Sequence, residues 1–131
     1  SRHEKGGTEG VLHISADMTD EASVQAAVTE VERREGRVDI LVCNAGFGIS
    51  GAAEYTAPED AHAQLELNLY GADREARAVI PVMRAQGGGR IVCMSSIAAI
   101  LPIPFQLTAL WIGIDNLNLR YFLMLCLNID I

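Results

Sequence analysis

The sequence predicts an incomplete doubly wound α/β sheet, and three observations predict it. Short apolar runs alternate with segments of helical periodicity, and the best of these runs is continuously apolar, as in strands buried on both faces. The runs also end in small or polar residues. Strands alternating with helices of this length imply right-handed crossovers and a parallel sheet, whose ligand cleft opens at the carboxyl ends of the strands.

Residues 11–15 form a first short apolar strand candidate, and Thr19-Asp20-Glu21 supplies an N-cap and acidic first-turn residues for a helix. Val24, Ala27, Val28 and Val31 share one face of that helix, which Gly36 ends. Residues 38–43 are the continuous apolar run and stop at Asn44-Ala45-Gly46. Thr56 and Glu59 have the spacing of a capping box, with Pro58 in the first turn where a missing N–H costs nothing. The long helix that follows has Leu65, Leu69, Ala72, Ala76, Val79, Ile80 and Met83 as its buried stripe and closes at Gly87-Gly88-Gly89. The next strand, residues 90–94, delivers Ser95-Ser96; a helix around 115–124 and the start of a strand at 128–131 complete the pattern. No repeat, low-complexity tract or linker divides the chain, so residues 1–131 read as one partial domain.

Hydrophobic residues make up 50% of the sequence and charged residues 21%, enough apolar surface for a core. A formal net charge of -7 repels phosphate backbones and anionic lipid, which argues against nucleic acid as a partner. Cys43, Cys93 and Cys126 are odd in number and set mostly among aliphatic residues, so they read as small buried hydrophobes in a reducing compartment, and the three histidines share no ligand-like spacing with them; no metal site is expected. No basic-then-apolar start suggests a signal peptide, which makes the cytoplasm the default location. Residues 97–114 approach the length of a membrane helix, but Pro102 and Pro104 would break it.

Four motifs in order resemble the short-chain dehydrogenase/reductase family, a Rossmann-like fold. Ile14-Ser15-Ala16-Asp17-Met18-Thr19 is similar to the family's third strand and its adenine-side aspartate, and Asp39-Ile40-Leu41-Val42-Cys43-Asn44-Ala45-Gly46 to its strand ending in Asn-Asn-Ala-Gly. Asn68-Leu69-Tyr70-Gly71 resembles the helix that carries its asparagine, and residues 89–96 the strand that delivers its catalytic serine. The resemblance covers about Val11 to Gln106 and implies a nicotinamide cofactor, NAD or NADP, and a small alcohol or ketone substrate. It implies that Asp17 accepts from the adenine amino group with the Met18 backbone beside the ring, and that Asn44, Ala45 and Gly46 pack against the adenosine ribose. Asn68 would hold a water in a proton relay, and Ser96 would steady the substrate oxygen as hydride arrives or leaves.

One part of the family pattern is absent. The resemblance places a catalytic tyrosine near Ala109 and its lysine near Gly113, yet Lys5 is the only lysine and no tyrosine lies between Tyr70 and Tyr121. Without the ammonium to lower its pKa from about 10, even a phenol there would be a weak base. A glycine-rich first turn is also expected several dozen residues before the third strand, where this sequence has only a handful, and Gly6-Gly7 is too isolated to serve. Resemblance resumes from Asp115-Asn116-Leu117 to Ile129-Asp130-Ile131, so the damage is local, consistent with residues 107–113 being read out of frame.

Three functions follow as expectations. The first is a piece of an alcohol/ketone oxidoreductase, catalytically incompetent as written. The second is a non-catalytic remnant that pairs with an intact homologue through the helix after Pro58, and the third a small membrane-associated module built on residues 97–114. Lacking the family's first strands, the chain should expose apolar edge and face and be weakly stable alone.

Overall fold

The structure, a computed structural model, describes residues 10–96 and the backbone of residues 124–130. Helix α1 (Glu21–Glu35) starts at Asp20, whose carboxylate accepts from the Ala22 amide at 3.1 Å, and ends at Gly36 in the left-handed region at φ 72°. The cap is therefore Asp20 alone; Thr19 turns back to Asp17. Strand β1 (Ile40–Cys43) leads through a loop into helix α2 (Pro58–Leu65), a π-helical turn (Glu66–Gly71), helix α3 (Ala72–Ala85), strand β2 (Gly88–Met94) and strand β3 (Met124–Asp130).

The sheet order is β1-β2-β3. β1 and β2 are parallel, with Ile40 opposite Arg90 and Cys43 opposite Cys93, as expected of a strand–helix–strand crossover. β3 runs antiparallel along the whole of β2, from Gly88 opposite Asp130 to Met94 opposite Met124, whereas the sequence pattern predicts a parallel strand there. An apolar run satisfies an open strand edge in either direction, and periodicity does not encode polarity. Met124 belongs to this strand, while the rest of the helix expected at 115–124, the segment 107–113 and the apolar stretch 97–114 lie outside the described residues. Among the described residues no helix is long and apolar enough to cross a membrane.

Three further expectations are corrected. Residues 11–15 form no strand, and Val11 and Leu12 are exposed; a strand needs ladder partners, and no described strand lies beside them. Thr56 does not cap α2: its hydroxyl bonds the Ala52 carbonyl at 3.3 Å and Ala57 occupies the cap position, although Pro58 does open the helix. Leu69 leaves the apolar stripe at 47% exposure, because it falls in the π turn, where the helix is re-phased.

The core lies between α3 and the sheet. Cys43, Val79, Met83 and Ile91 are its buried centre, flanked by Val28, Leu41, Ala76 and Ile80. Gly89 lets α3 lie close, for a Cβ there would sit 2.5 Å from the Met83 Cγ and Sδ. Glu75 also faces the sheet: burial raises its carboxyl above the ordinary range, partly offset by a hydrogen bond with Cys43, and its Oε2 has no partner among the described residues. Burial, then Glu75, push the Cys43 thiol well up, so it stays protonated and inert. The opposite face of β1 is open. Ile40 is 59% and Val42 53% exposed, so the run expected to be buried on both faces is covered on one.

At the start of the strand Gln86 acts as a surrogate backbone. Its Oε1 accepts from Val38 N at 2.9 Å and its Nε2 donates to Val38 O at 2.6 Å and Gly88 O at 2.8 Å, tying the end of α3 to both strands.

Candidate functional site

The register of β1 with β2 fixes the first half of the site. Because Cys43 lies opposite Cys93, Asn44-Ala45-Gly46 and Ser95-Ser96 leave the sheet at the same, carboxyl, end of adjacent parallel strands. All five residues are exposed. They are small or polar, so backbone and hydroxyl groups are presented at that end with little side chain in the way.

The loop beyond Gly46 is held by the helix. Asn68 Oδ1 accepts from Phe47 N at 3.0 Å and its Nδ2 donates to Phe47 O at 2.9 Å. Gly46 sits so close that a Cβ would lie 3.0 Å from Asn68 Oδ1 and 3.2 Å from its Cγ. An amide has two donors and two acceptor lone pairs, so one of each remains on Asn68 for a further partner. A second amide, Gln64, donates from Nε2 to the same Phe47 carbonyl at 3.0 Å. Sequence reasoning missed Gln64, although its position one turn before Asn68, polar on the buried side of a helix, was a readable signal.

Asp17 and Met18 are anchored one turn further along. Asp17 Oδ1 accepts from the Thr19 hydroxyl at 2.7 Å and the Thr19 amide at 2.9 Å, and these bonds hold its exposed carboxylate below the ordinary range, charged and acceptor-only. Its own amide donates to Ser23 Oγ at 2.8 Å. Met18 lies against Gly71, where a Cβ would be 3.4 Å from the Met18 Cβ. Arg74 donates from Nη1 to Met18 O at 3.4 Å and forms an ion pair with Glu66. Arg74 was not anticipated either, since its partners lie eight residues back and in another element.

Two of the segments singled out by sequence, those around Gly46 and Met18, thus meet on Glu66–Gly71 and the first turn of α3. Gly46 rests on Asn68, and Met18 rests on Gly71. Asn44 and Ala45 follow β1, and Ser96 is related to them by strand register. Chemically the arrangement offers an ionised acceptor at Asp17, open backbone at 44–46 and a hydroxyl at Ser96.

The sequence model described as short chain dehydrogenase matches residues 2–108. The chain is 39% identical over 96 residues to a 3-ketodihydrosphingosine reductase of Bacteroides thetaiotaomicron, covering 73% of this chain and 36% of the relative. It is 37% identical over 93 residues to 17-beta-hydroxysteroid dehydrogenase type 1 of Homo sapiens, covering 71% and 28% respectively. It therefore spans about a third of the length of these curated relatives. Among solved structures, a gluconate 5-dehydrogenase from Burkholderia cenocepacia in complex with NADP and tartrate superposes with a TM-score of 0.69 at 34% identity, over 77% of this chain and 40% of that one.

Proposed function

Since this chain belongs to the short-chain dehydrogenase/reductase family, we propose that it derives from an oxidoreductase that interconverts an alcohol and a ketone with NAD or NADP, and that as it stands it does not catalyse the reaction. The cofactor, when bound, supplies or accepts the hydride. The residues present fit its adenosine half. Asp17 is an exposed, ionised acceptor for an exocyclic amine, the Met18 backbone lies beside it, and Asn44, Ala45 and Gly46 leave room for a ribose. Ser96 would donate a hydrogen bond to the substrate oxygen, and Asn68 would hold the strand-end loop and a relay water.

The observation that carries this reading is the attachment of both adenosine-side segments to one helical stretch, Gly46 on Asn68 and Met18 on Gly71. The incompetence rests on sequence: neither Ala109 nor Gly113 can move a proton, and the family match stops at residue 108. Turnover of secondary alcohols by this chain should be undetectable, since loss of the acid–base group removes a factor of about 100–10,000. Fluorescence titration with NADH and NADPH should give at most very weak binding. Micromolar affinity with measurable turnover would overturn the proposal, and a tyrosine–lysine pair in another frame of the gene would explain the loss.

A second reading has its own support. Leu69 and Tyr70 stand exposed on the helix after Pro58, a face suited to pairing with an intact homologue in a non-catalytic role. Failure of the chain to co-purify with a full-length family member would dismiss it.

A further inference from the structure

The geometry points to Gln64 as a positioning residue whose amide, together with that of Asn68, fixes the carbonyl of Phe47 and with it the loop that leaves Asn44-Ala45-Gly46. The ligand this loop would face rests on the oxidoreductase reading above; the latch itself does not.

Gln64 is 1% exposed, at the end of α2, yet among the described residues only one end of its amide is satisfied. Nε2 reaches Phe47 O, while Oε1 is buried with no hydrogen-bond partner among the described residues. A buried amide without its full set of bonds costs free energy relative to an apolar side chain of similar volume, so packing alone favours a methionine here. What the glutamine adds is its single bond. That bond falls on a carbonyl already taken by Asn68 Nδ2, so two donors, at 3.0 Å and 2.9 Å, use both lone pairs of Phe47 O and set its direction. Asn68 by itself grips Phe47 from one point; Gln64 adds a second point from the preceding turn, across the junction between α2 and the π turn. Two anchors on different turns stop the peptide from rotating about the first. Gly46, where a Cβ would press tightly on Asn68, is thereby kept in place.

The test is amide hydrogen exchange on the full chain, read at Phe47 and at the core positions Val79 and Ile91. In Gln64→Met the protection of the Phe47 amide should fall by about fivefold, the equivalent of one typical net hydrogen bond. Core protection and the thermal midpoint should hold or rise, because an unpaired acceptor has been removed. In Gln64→Glu the ionised side chain has no donor for Phe47 O, and protection should recover in acid, where the protonated carboxyl donates again. The inference is overturned if Gln64→Met leaves Phe47 unchanged, if loop and core lose protection in parallel, if Gln64→Glu shows no recovery in acid, or if Phe47 is unprotected in the unaltered chain. A wrong oxidoreductase reading would appear instead in the cofactor titration and leave these exchange rates untouched.

Discussion

The two faces of β1 carry the same kind of residue and meet opposite surroundings. Leu41 and Cys43 lie under α3 in the core, while Ile40 and Val42, one step away along the strand, stand open. Alternation across a strand makes this possible in four residues. The difference teaches that apolar character records what a strand face is suited to, whereas contacts record what covers it. Energetically the covered face should hold nearly all the stability.

Met83→Ala should have the largest effect, because a side chain with no exposure leaves a cavity between α3 and the sheet, at a cost of about 2–5 kcal/mol. The urea midpoint measures it, and a loss of no more than about 0.5 kcal/mol, the size of a mere surface change, would erase the contrast between the faces. Gly89→Ala comes next, with overpacking against Met83 costing about 1–3 kcal/mol. Combined with Met83→Ala, the same change should be tolerated, since the clashing atoms are gone; additive losses would show that α3 does not rest on Gly89 as described.

Glu75→Gln sharpens the comparison by pH. Folding holds the Glu75 proton more tightly than the unfolded chain does, so the unfolded state gains as pH rises. Stability is fully present below the ordinary glutamate range and is lost as pH climbs through the raised folded value. The glutamine variant should therefore be more stable at neutral pH and show a flatter profile of midpoint against pH; an unchanged profile would mean the carboxyl finds water. Smallest of all, Val42→Thr on the open face should shift stability by no more than about 0.5 kcal/mol. A larger loss would mean that this face is covered in solution.

Helices and parallel pairing were legible because their signals are local. Gly36 and Pro58 marked helix boundaries, and the runs around Leu41 and Ile91 marked adjacent strands. What failed was non-local. Val11 and Leu12 have strand composition but no neighbour to pair with among the described residues, and the apolar run at Leu125-Cys126-Leu127 does not encode the direction in which it joins a sheet. In the candidate site, Asp17, Gly46, Asn68 and Ser96 were singled out through motif resemblance. Gln64 and Arg74 carry no motif; Gln64 showed only as a polar residue on a buried helix side, and the Phe47 and Met18 carbonyls they bond leave no mark in sequence.

The π-helical turn at Glu66–Gly71 has a consequence for the lengths this chain can tolerate. Such a turn takes in one residue more than an α turn, so the side chains on either side of it are offset by about 100° from a straight helix. That offset lets the segment before it address the Phe47 loop while Ala76, Val79 and Met83 address the sheet. Removing one residue from the turn would produce a more regular helix, and by that very regularity would swing Gln64 away from the loop: here an imperfection in winding is what allows a single rod to serve two directions.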